Sequence, residues 1–75
     1  RATIENALIS NATLDDTQLK RASFFISDLK NTSFVQADLA RSNLRAADLR
    51  NALFQKTNLS QVDLSHAYLG GVTVS

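Results

Sequence analysis

The chain has 75 residues, a formal net charge of +1 and no Cys, Met, Pro or Trp. This length limits the protein to one domain, and the lack of cysteine excludes disulfides and thiolate metal sites. No apolar run is long enough to cross a membrane and no signal-peptide pattern is present, so we expect no membrane partner.

A repeat of five residues runs through the whole chain without insertion or deletion. Its central position is always a large apolar residue, and two residues earlier there is always an Ala, Ser, Thr or Val, from Ala2 to Val72. A repeat this regular indicates a solenoid. The predicted core consists of the fifteen central residues Ile4, Ile9, Leu14, Leu19, Phe24, Leu29, Phe34, Leu39, Leu44, Leu49, Phe54, Leu59, Leu64, Leu69 and Val74.

A period of five residues fits neither a helix nor a straight strand. On an α-helix, successive centres would be rotated by about 140°, so no apolar stripe would form. In a straight strand they would alternate between the two faces. If each repeat is a short extended segment followed by a corner, the small residue and the centre both face inward. The sequence therefore predicts a coil whose turns pair as β-strands about 4.8 Å apart.

The repeats also carry a family resemblance. Tripeptides such as Ala37-Asp38-Leu39, Ser42-Asn43-Leu44 and Ala47-Asp48-Leu49 resemble the Ala-Asp/Asn-Leu-x-x motif of the pentapeptide-repeat family. The resemblance covers residues 2–75. It implies an all-β fold, a right-handed quadrilateral parallel β-helix with four pentapeptides per coil and just under four coils. Residues twenty apart would then stack in columns.

The repeats begin at residue 2 and continue to the last residue, although solenoids normally carry capping units. We therefore expect residues 1–75 to form a single β-helix domain that is a fragment of a longer protein. Some members of the resembled family dimerise by stacking their terminal coils. A homodimer formed by end-to-end stacking is accordingly a candidate assembly.

The charges are distributed unevenly over the repeat positions. Four acids precede a central residue, where the repeat itself favours Asp or Asn, and we interpret them as structural: Asp28, Asp38, Asp48 and Asp63. From residue 17 onward the corners carry bases and no acid, which makes this surface mildly basic. A solvated surface with local ion pairs, each worth less than ~1 kcal/mol, is one interpretation. The other is a partner contact through Arg21, Arg41, Arg45 and Arg50.

Phe25 and Ile26 form a consecutive apolar pair at one corner and are candidate contacts for a partner or a flanking segment. Stacking of residues twenty apart would place Phe25 between Glu5 and Arg45, which allows a cation–π contact.

Two further columns follow from the same stacking. One is an Asn column in which hydrogen-bonded ladders are expected, Asn11, Asn31 and Asn51. The other is basic and ends at Gln61, with Arg1, Arg21 and Arg41.

No site chemistry is visible in the sequence. A filled rod with flat walls offers no concave pocket in which titratable groups converge. His66, the only histidine, has no Cys, second His or acidic cluster around it. We therefore predict no catalytic, cofactor-binding or metal-ligating residue, no cofactor, and a protein that is not an enzyme.

The preferred hypothesis is a structural and protein-interaction module, a rigid rod that presents flat ladders to an unknown protein partner. One alternative follows from the resemblance, since some family members mimic DNA and inhibit DNA gyrase or topoisomerase. Mimicry needs a strongly negative rod, so the basic surface disfavours it. Another alternative is weak binding of an anionic partner through the basic corners, although nucleic acid is disfavoured by the scarcity of aromatic residues. The cytoplasm is weakly favoured over a photosynthetic lumen or the periplasm.

Overall fold

The computed structural model describes residues 3–75, so Arg1 of the predicted basic column and Ala2 lie outside the described residues. Parallel pairing joins residues twenty apart, as in the series Thr3 with Ser23, Ser23 with Asn43, and Asn43 with Asp63. Because each repeat has five residues, one coil contains four repeats. The chain is thus a four-sided parallel β-helix in which each repeat forms one side.

Regular strands are very short because a corner interrupts the chain after every side. Residues 3–75 contain two strands, β1 (Leu53–Phe54) and β2 (Thr73–Val74). They pair in parallel, with Leu53 opposite Thr73 and Phe54 opposite Val74. The other described sides contribute single bridges. No helix within residues 3–75 has the length and apolar character needed to cross a membrane.

We number the sides in chain order and give each corner the number of the side before it. The outward-facing residues of side 1 are Thr3, Ser23, Asn43 and Asp63. Those of side 2 are Leu8, Asp28, Asp48 and Tyr68. Those of side 3 are Thr13, Ser33, Leu53 and Thr73, and those of side 4 are Gln18, Asp38 and Asn58. Corner 1 includes residues 25–26 and 45–46, corner 2 includes 30–31 and 50–51, corner 3 includes 35–36 and 55–56, and corner 4 includes 20–21, 40–41 and 60–61.

Every described corner turns on a second residue with positive φ, between 54° and 74°. In most corners the next N–H donates to the preceding central carbonyl, as Ala12 N does to Ile9 O at 3.2 Å. These features are typical of type II turns. The column of Asn11, Asn31 and Asn51 occupies this position, yet hydrogen bonds between these three side chains are absent. The predicted ladder is wrong, and Asn suits the column because it tolerates the left-handed region.

The position before the centre has a specific backbone role. In the repeat 27–31, four of the five N–H groups donate to backbone carbonyls. The fifth, that of Lys30, donates to Oδ1 of Asp28 at 3.1 Å. The same Asx-turn hydrogen bond forms at Asp38, Asn43, Asp48, Asn58 and Asp63. Asp or Asn is favoured there because its short side chain satisfies the one N–H that the coil leaves without a partner.

The core is one cluster of side chains that all four sides contribute to the interior of the coil. Phe34 and Phe54 stack with ring centroids 5.0 Å apart, and Phe24 meets Phe34 edge-on at 6.5 Å. Fully enclosed apolar residues all lie between residues 22 and 54: Ala22, Phe24, Leu29, Phe34, Ala37, Leu39, Leu44, Ala47, Leu49, Ala52 and Phe54. Small residues alternate with large ones because the interior of the coil is narrow.

The predicted core residues near the two ends are less enclosed. Ile4, Ile9, Leu14, Leu19 and Leu59 are partly buried against the central cluster. In contrast, three side chains counted as core in the sequence are exposed, Leu64 by 37%, Leu69 by 45% and Val74 by 66%. A large side chain in this fold is fully buried when one coil covers it from above and another from below. Among the described residues, Leu64, Leu69 and Val74 have a neighbouring coil on one side only.

Candidate interaction surface

The six candidate contact residues are distributed over three corners. Arg21 and Arg41 lie at corner 4, and Phe25, Ile26 and Arg45 lie at corner 1. These two corners are the edges of side 1, so five of the six residues border one wall of the rod. Arg50 lies at corner 2, on the far edge of side 2.

Side 1 between these edges is lined by short polar side chains whose groups are largely engaged. Ser23 Oγ donates to Glu5 Oε2 at 2.8 Å. The Asp63 carboxylate accepts from the hydroxyl of Ser65 at 2.6 Å and from its N–H at 2.9 Å. These two hydrogen bonds lower the pKa of Asp63. The wall is therefore flat and internally satisfied, and its edges supply the free apolar and cationic groups.

Corner 1 combines an apolar step with an unpaired cation. Phe25 is half-buried, whereas Ile26 is 48% exposed. Arg45 is exposed, and within residues 3–75 it forms no ion pair. The cation–π contact that the sequence allowed between Phe25 and Arg45 is also absent there. The guanidinium of Arg45 is thus available to solvent beside an apolar corner.

Arg50 is occupied by its own side of the rod. Its Nε and Nη2 donate to Oδ1 and Oδ2 of Asp48 at 2.9 and 2.6 Å, a bidentate pair. The hydrogen bonds from Arg50 lower the pKa of Asp48 to about 2. The Arg50 guanidinium also lies 5.8 Å from the ring centroid of Tyr68, which places the cation–π contact here. Stacking the residues of side 2 in the sequence places Asp48 beside Tyr68, and Arg50 follows Asp48 by two residues. This arrangement would have indicated both the ion pair and the cation–π contact of Arg50.

A lysine completes this cluster of charges. Lys30 Nζ lies 2.8 Å from Oδ2 of Asp28 and 3.5 Å from Oδ2 of Asp48. The two carboxylates are direct neighbours on paired strands, and the lysine offsets their repulsion. The hydrogen bond with Lys30 lowers the pKa of Asp28 and raises that of Lys30. Corner 2 is therefore a compensated ion-pair ladder, in contrast to corners 1 and 4.

Corner 4 contains a groove that the sequence did not predict, and the expectation of walls without a concave site is wrong at this corner. The groove has a volume of about 360 Å³ and is lined by Lys20, Arg21, Ala40, Arg41, Asn58, Ser60 and Gln61. It forms because Ala40 and Ser60 are short while the residues around them are long. The columns visible in the sequence contained this signal, since a small residue follows Lys20 in the next two coils.

The groove lining carries cations and amides rather than acid–base machinery. Lys20 Nζ lies 3.7 Å from Oδ2 of Asp38, beyond hydrogen-bond distance. His66 lies at corner 1 and is not part of the groove lining. In the described part of the chain, groups of three or more His, Cys, Asp or Glu side chains that could hold a metal ion are absent. The arrangement suits binding of an anion.

Comparison with known sequences decides the family. The family model for pentapeptide repeats matches in eight copies, over residues 2–39, 27–61 and 42–75. The chain belongs to the pentapeptide-repeat family. The sequence-based family prediction is confirmed, and so is the right-handed quadrilateral β-helix. Members of this family are structural repeat proteins. No curated protein shows significant sequence similarity to the chain.

Solved structures of other pentapeptide-repeat proteins superpose on this one. A protein from the thylakoid lumen of Arabidopsis thaliana is 34% identical over 100% of this chain, with a TM-score of 0.79. Proteins from Cyanothece 51142 and Nostoc PCC 7120 are 23% and 24% identical, with TM-scores of 0.64 and 0.62, and share the fold. The matches to the Cyanothece and Nostoc proteins cover 99% and 100% of this chain. It spans 56% of the Arabidopsis chain, 48% of the Cyanothece chain and 82% of the Nostoc chain.

Proposed function

We propose that this pentapeptide-repeat protein is a non-catalytic interaction module that binds a protein partner through side 1 and its two edges. The observation that carries the proposal is the placement of five candidate residues on the borders of a single wall. Arg21 and Arg41 flank it at one edge, and Phe25, Ile26 and Arg45 flank it at the other. Such a surface combines cations with an apolar anchor.

The rigidity of the rod supports this role. Every described corner has a second residue with positive φ and the core is continuous from residue 22 to residue 54, so the wall has a fixed shape before binding. A preformed surface loses little conformational entropy on association, which favours affinity. The chemistry of the edges fits a partner that offers carboxylates on both sides of an apolar side chain.

DNA mimicry is not proposed for this chain. A mimic of duplex DNA needs rows of negative charge along the rod. Residues 17–75 carry seven bases and four acids, and Asp28, Asp48 and Asp63 are engaged in hydrogen bonds with their own corners. From residue 17 onward, corners 1 and 4 carry bases and no acid.

The test is cross-linking mass spectrometry on extracts of the source organism with two matched variants. Ile26→Asp with Arg45→Glu alters the corner 1 edge of side 1, and Gln36→Asp with Lys56→Glu makes the same change of charge at corner 3. We expect one protein to be cross-linked by the native chain and the corner 3 variant, and lost with the side 1 variant. Loss with both variants, or retention by both, would overturn the proposal, provided that circular dichroism shows both folded.

We also propose a photosynthetic lumen as the compartment. The argument is the similarity to the Arabidopsis protein, whose source is the thylakoid lumen. Fractionation of chloroplasts or cyanobacterial cells, followed by detection with an antibody raised against this chain, tests the compartment. Recovery in the lumenal fraction is expected, and recovery only in the stroma or cytoplasm would contradict it.

A further inference from the structure

We propose that the groove at corner 4 is a binding site for a phosphate-type oxyanion. Its lining brings three cationic side chains to one concave surface, Lys20, Arg21 and Arg41. Within residues 3–75, carboxylates are absent from the 4.0 Å neighbourhood of either arginine. The groove volume of about 360 Å³ lies in the range of small-molecule sites.

The neutral groups of the lining also face the groove as donors. Arg41 Nε donates to Gln61 Oε1 at 2.9 Å, which leaves the Nε2 amide of Gln61 to donate outward. The backbone N–H of Ser60 donates to Asn58 Oδ1 at 3.0 Å, and the Ser60 hydroxyl donates to the same oxygen at 2.7 Å. These bonds fix the orientation of the Asn58 amide, so its Nδ2 is a free donor.

The lining therefore offers many donors to a ligand and very few acceptors. Both terminal nitrogens of Arg41 and the whole guanidinium of Arg21 lack an acceptor among the described residues. A phosphate group supplies three acceptor oxygens and more than one negative charge, and arginine forks bind such oxygens in pairs. A neutral ligand would leave the cations without compensation.

A comparison of corners 2 and 4 separates this groove from an ordinary basic surface. At corner 2 each cation already has a carboxylate, as Arg50 has Asp48 and Lys30 has Asp28. At corner 4 the corresponding positions have only the distant contact of Lys20 with Asp38 at 3.7 Å. A bound anion would supply the partner that Arg21 and Arg41 lack among the described residues. Both arginines also border side 1, but this inference rests on a different observation, the concave and donor-rich lining of the groove, and it is tested without a partner protein.

The experiment is an NMR titration of the folded chain with sodium pyrophosphate, at an ionic strength held constant with sodium chloride. We expect saturable shifts in the backbone signals of residues 20–21, 40–41 and 60–61 and in the side-chain amides of Asn58 and Gln61. Arg41→Gln and, separately, Arg21→Gln should weaken binding by about tenfold, which corresponds to one charged hydrogen-bonded contact. The control Lys56→Gln, which removes a cation at corner 3, should leave the affinity unchanged.

Shifts that do not saturate, or that persist equally in Arg41→Gln and Lys56→Gln, would show general charge screening and overturn the proposal. A second arm compares free pyrophosphate with a phosphoserine peptide and with the same peptide carrying serine. Tighter binding of the phosphopeptide than of pyrophosphate would assign the phosphate group to a protein ligand, and equal or weaker binding would assign it to a free anion. Equal binding of phosphorylated and unphosphorylated peptides would contradict the phosphate assignment.

Discussion

Side chains at the second corner position differ widely in how well they tolerate positive φ. Asn and Gly visit the left-handed region readily, whereas a Cβ with ordinary geometry costs about 1–2 kcal/mol there. Ile26, with φ of 62°, is the β-branched residue at this position. Ala46, with φ of 59°, has only a methyl side chain, which forms no hydrogen bond that could offset the cost. Backbone strain is thus stored along the corners, most of all at corner 1.

Ala46→Gly should therefore stabilise the protein, although the same substitution is normally destabilising. Relief of the left-handed strain exceeds the backbone entropy that glycine adds to the unfolded chain, so we expect a gain of about 0.5–1 kcal/mol. Urea unfolding followed by circular dichroism measures it. The matched control is Ala40→Gly, which lies at a first corner position without positive φ and should cost about 0.5–1 kcal/mol. Equal effects at the two sites would contradict this account.

Hydroxyl groups inside the coil occupy equivalent positions but have different partners. Ser27 Oγ donates to Ile4 O at 2.6 Å and accepts from Ala7 N at 3.3 Å. Ser42, which is 1% exposed, has an Oγ with no hydrogen-bond partner. A buried hydroxyl without a partner costs free energy, whereas a bonded one contributes to stability.

Two serine-to-alanine substitutions should consequently have opposite effects. We expect Ser42→Ala to raise the free energy of unfolding by about 1 kcal/mol, because it removes an unsatisfied polar atom and leaves the packing almost unchanged. Ser27→Ala should lower it by about 1 kcal/mol, because a carbonyl and an N–H lose their partner. Denaturant midpoints of the two variants, measured side by side, decide the matter. A loss of stability in Ser42→Ala comparable to that in Ser27→Ala would rule out this explanation.

At the level of an element, the pentapeptide explains why the sequence was so informative. The position before the centre was predicted to be structural, and the hydrogen bonds of Asp28 and Asn43 to their own corners give the physical reason. Asp15 lies at the first position of corner 3 and not before a central residue. The repeat 32–36 has Ser33 before its centre in place of Asp or Asn. The Asp15 carboxylate of the preceding coil accepts from Ser33 Oγ at 2.6 Å and from Val35 N at 2.8 Å, and so takes the role of the missing Asp. Compensation between coils is not visible within a single repeat.

The ion-pair ladder on side 2 should make stability fall at low pH. The folded pKa of Asp48, about 2, lies below its ordinary value of 3.8, so its contribution is present above pH 3.8 and is lost as the pH falls toward 2. The lowered pKa values of Asp28 and Asp63 act in the same direction. We expect the free energy of unfolding to decrease over this interval.

Asp48→Asn isolates the charge, because the amide oxygen still accepts from the Arg50 N–H. We expect a loss of up to about 1 kcal/mol at pH 7, the range for solvent-accessible pairs, and a shallower decrease below pH 3.8. In a double-mutant cycle with Arg50→Gln, the coupling energy should be present at pH 7 and much smaller at pH 2. Coupling of the same size at both pH values would show that the pair is not held by charge.

At the level of the whole molecule, the sequence predicted the coil but not the differences between its corners. Central residues such as Leu39, Leu44 and Leu49 are five residues apart throughout the chain. Because each repeat forms one side and one corner, this spacing alone shows which side chains face inward. The groove at corner 4 and the pairing of Arg50 depend on side-chain length and direction across coils. Those properties arise only when residues twenty apart are placed in contact, so a list of basic corners could not separate paired cations from free ones.

Burial is also uneven along the axis, and this determines where the rod opens. Ala47 and Ala67 lie twenty residues apart on the same side, and each donates its N–H to a central carbonyl at 3.1 Å, of Leu44 and Leu64 respectively. Ala47 is fully buried, whereas Ala67 lies in the coil that contains the exposed side chains of Leu64 and Leu69. In a stack, each coil is stabilised mainly by its neighbours, so local opening should begin in the less covered coil.

Native-state hydrogen exchange of this chain compares the two amides directly. We expect Ala67 to exchange at least about tenfold faster than Ala47, because its hydrogen bond has the same length but less burial around it. Equal protection in dilute solution would show that the coils open as one unit and contradict the gradient. Repeating the measurement at increasing protein concentration tests the predicted end-to-end homodimer. Stacking of terminal coils would cover Leu64, Leu69 and Val74 and slow exchange at Ala67 without affecting Ala47, whereas a concentration-independent rate would exclude stacking at this end.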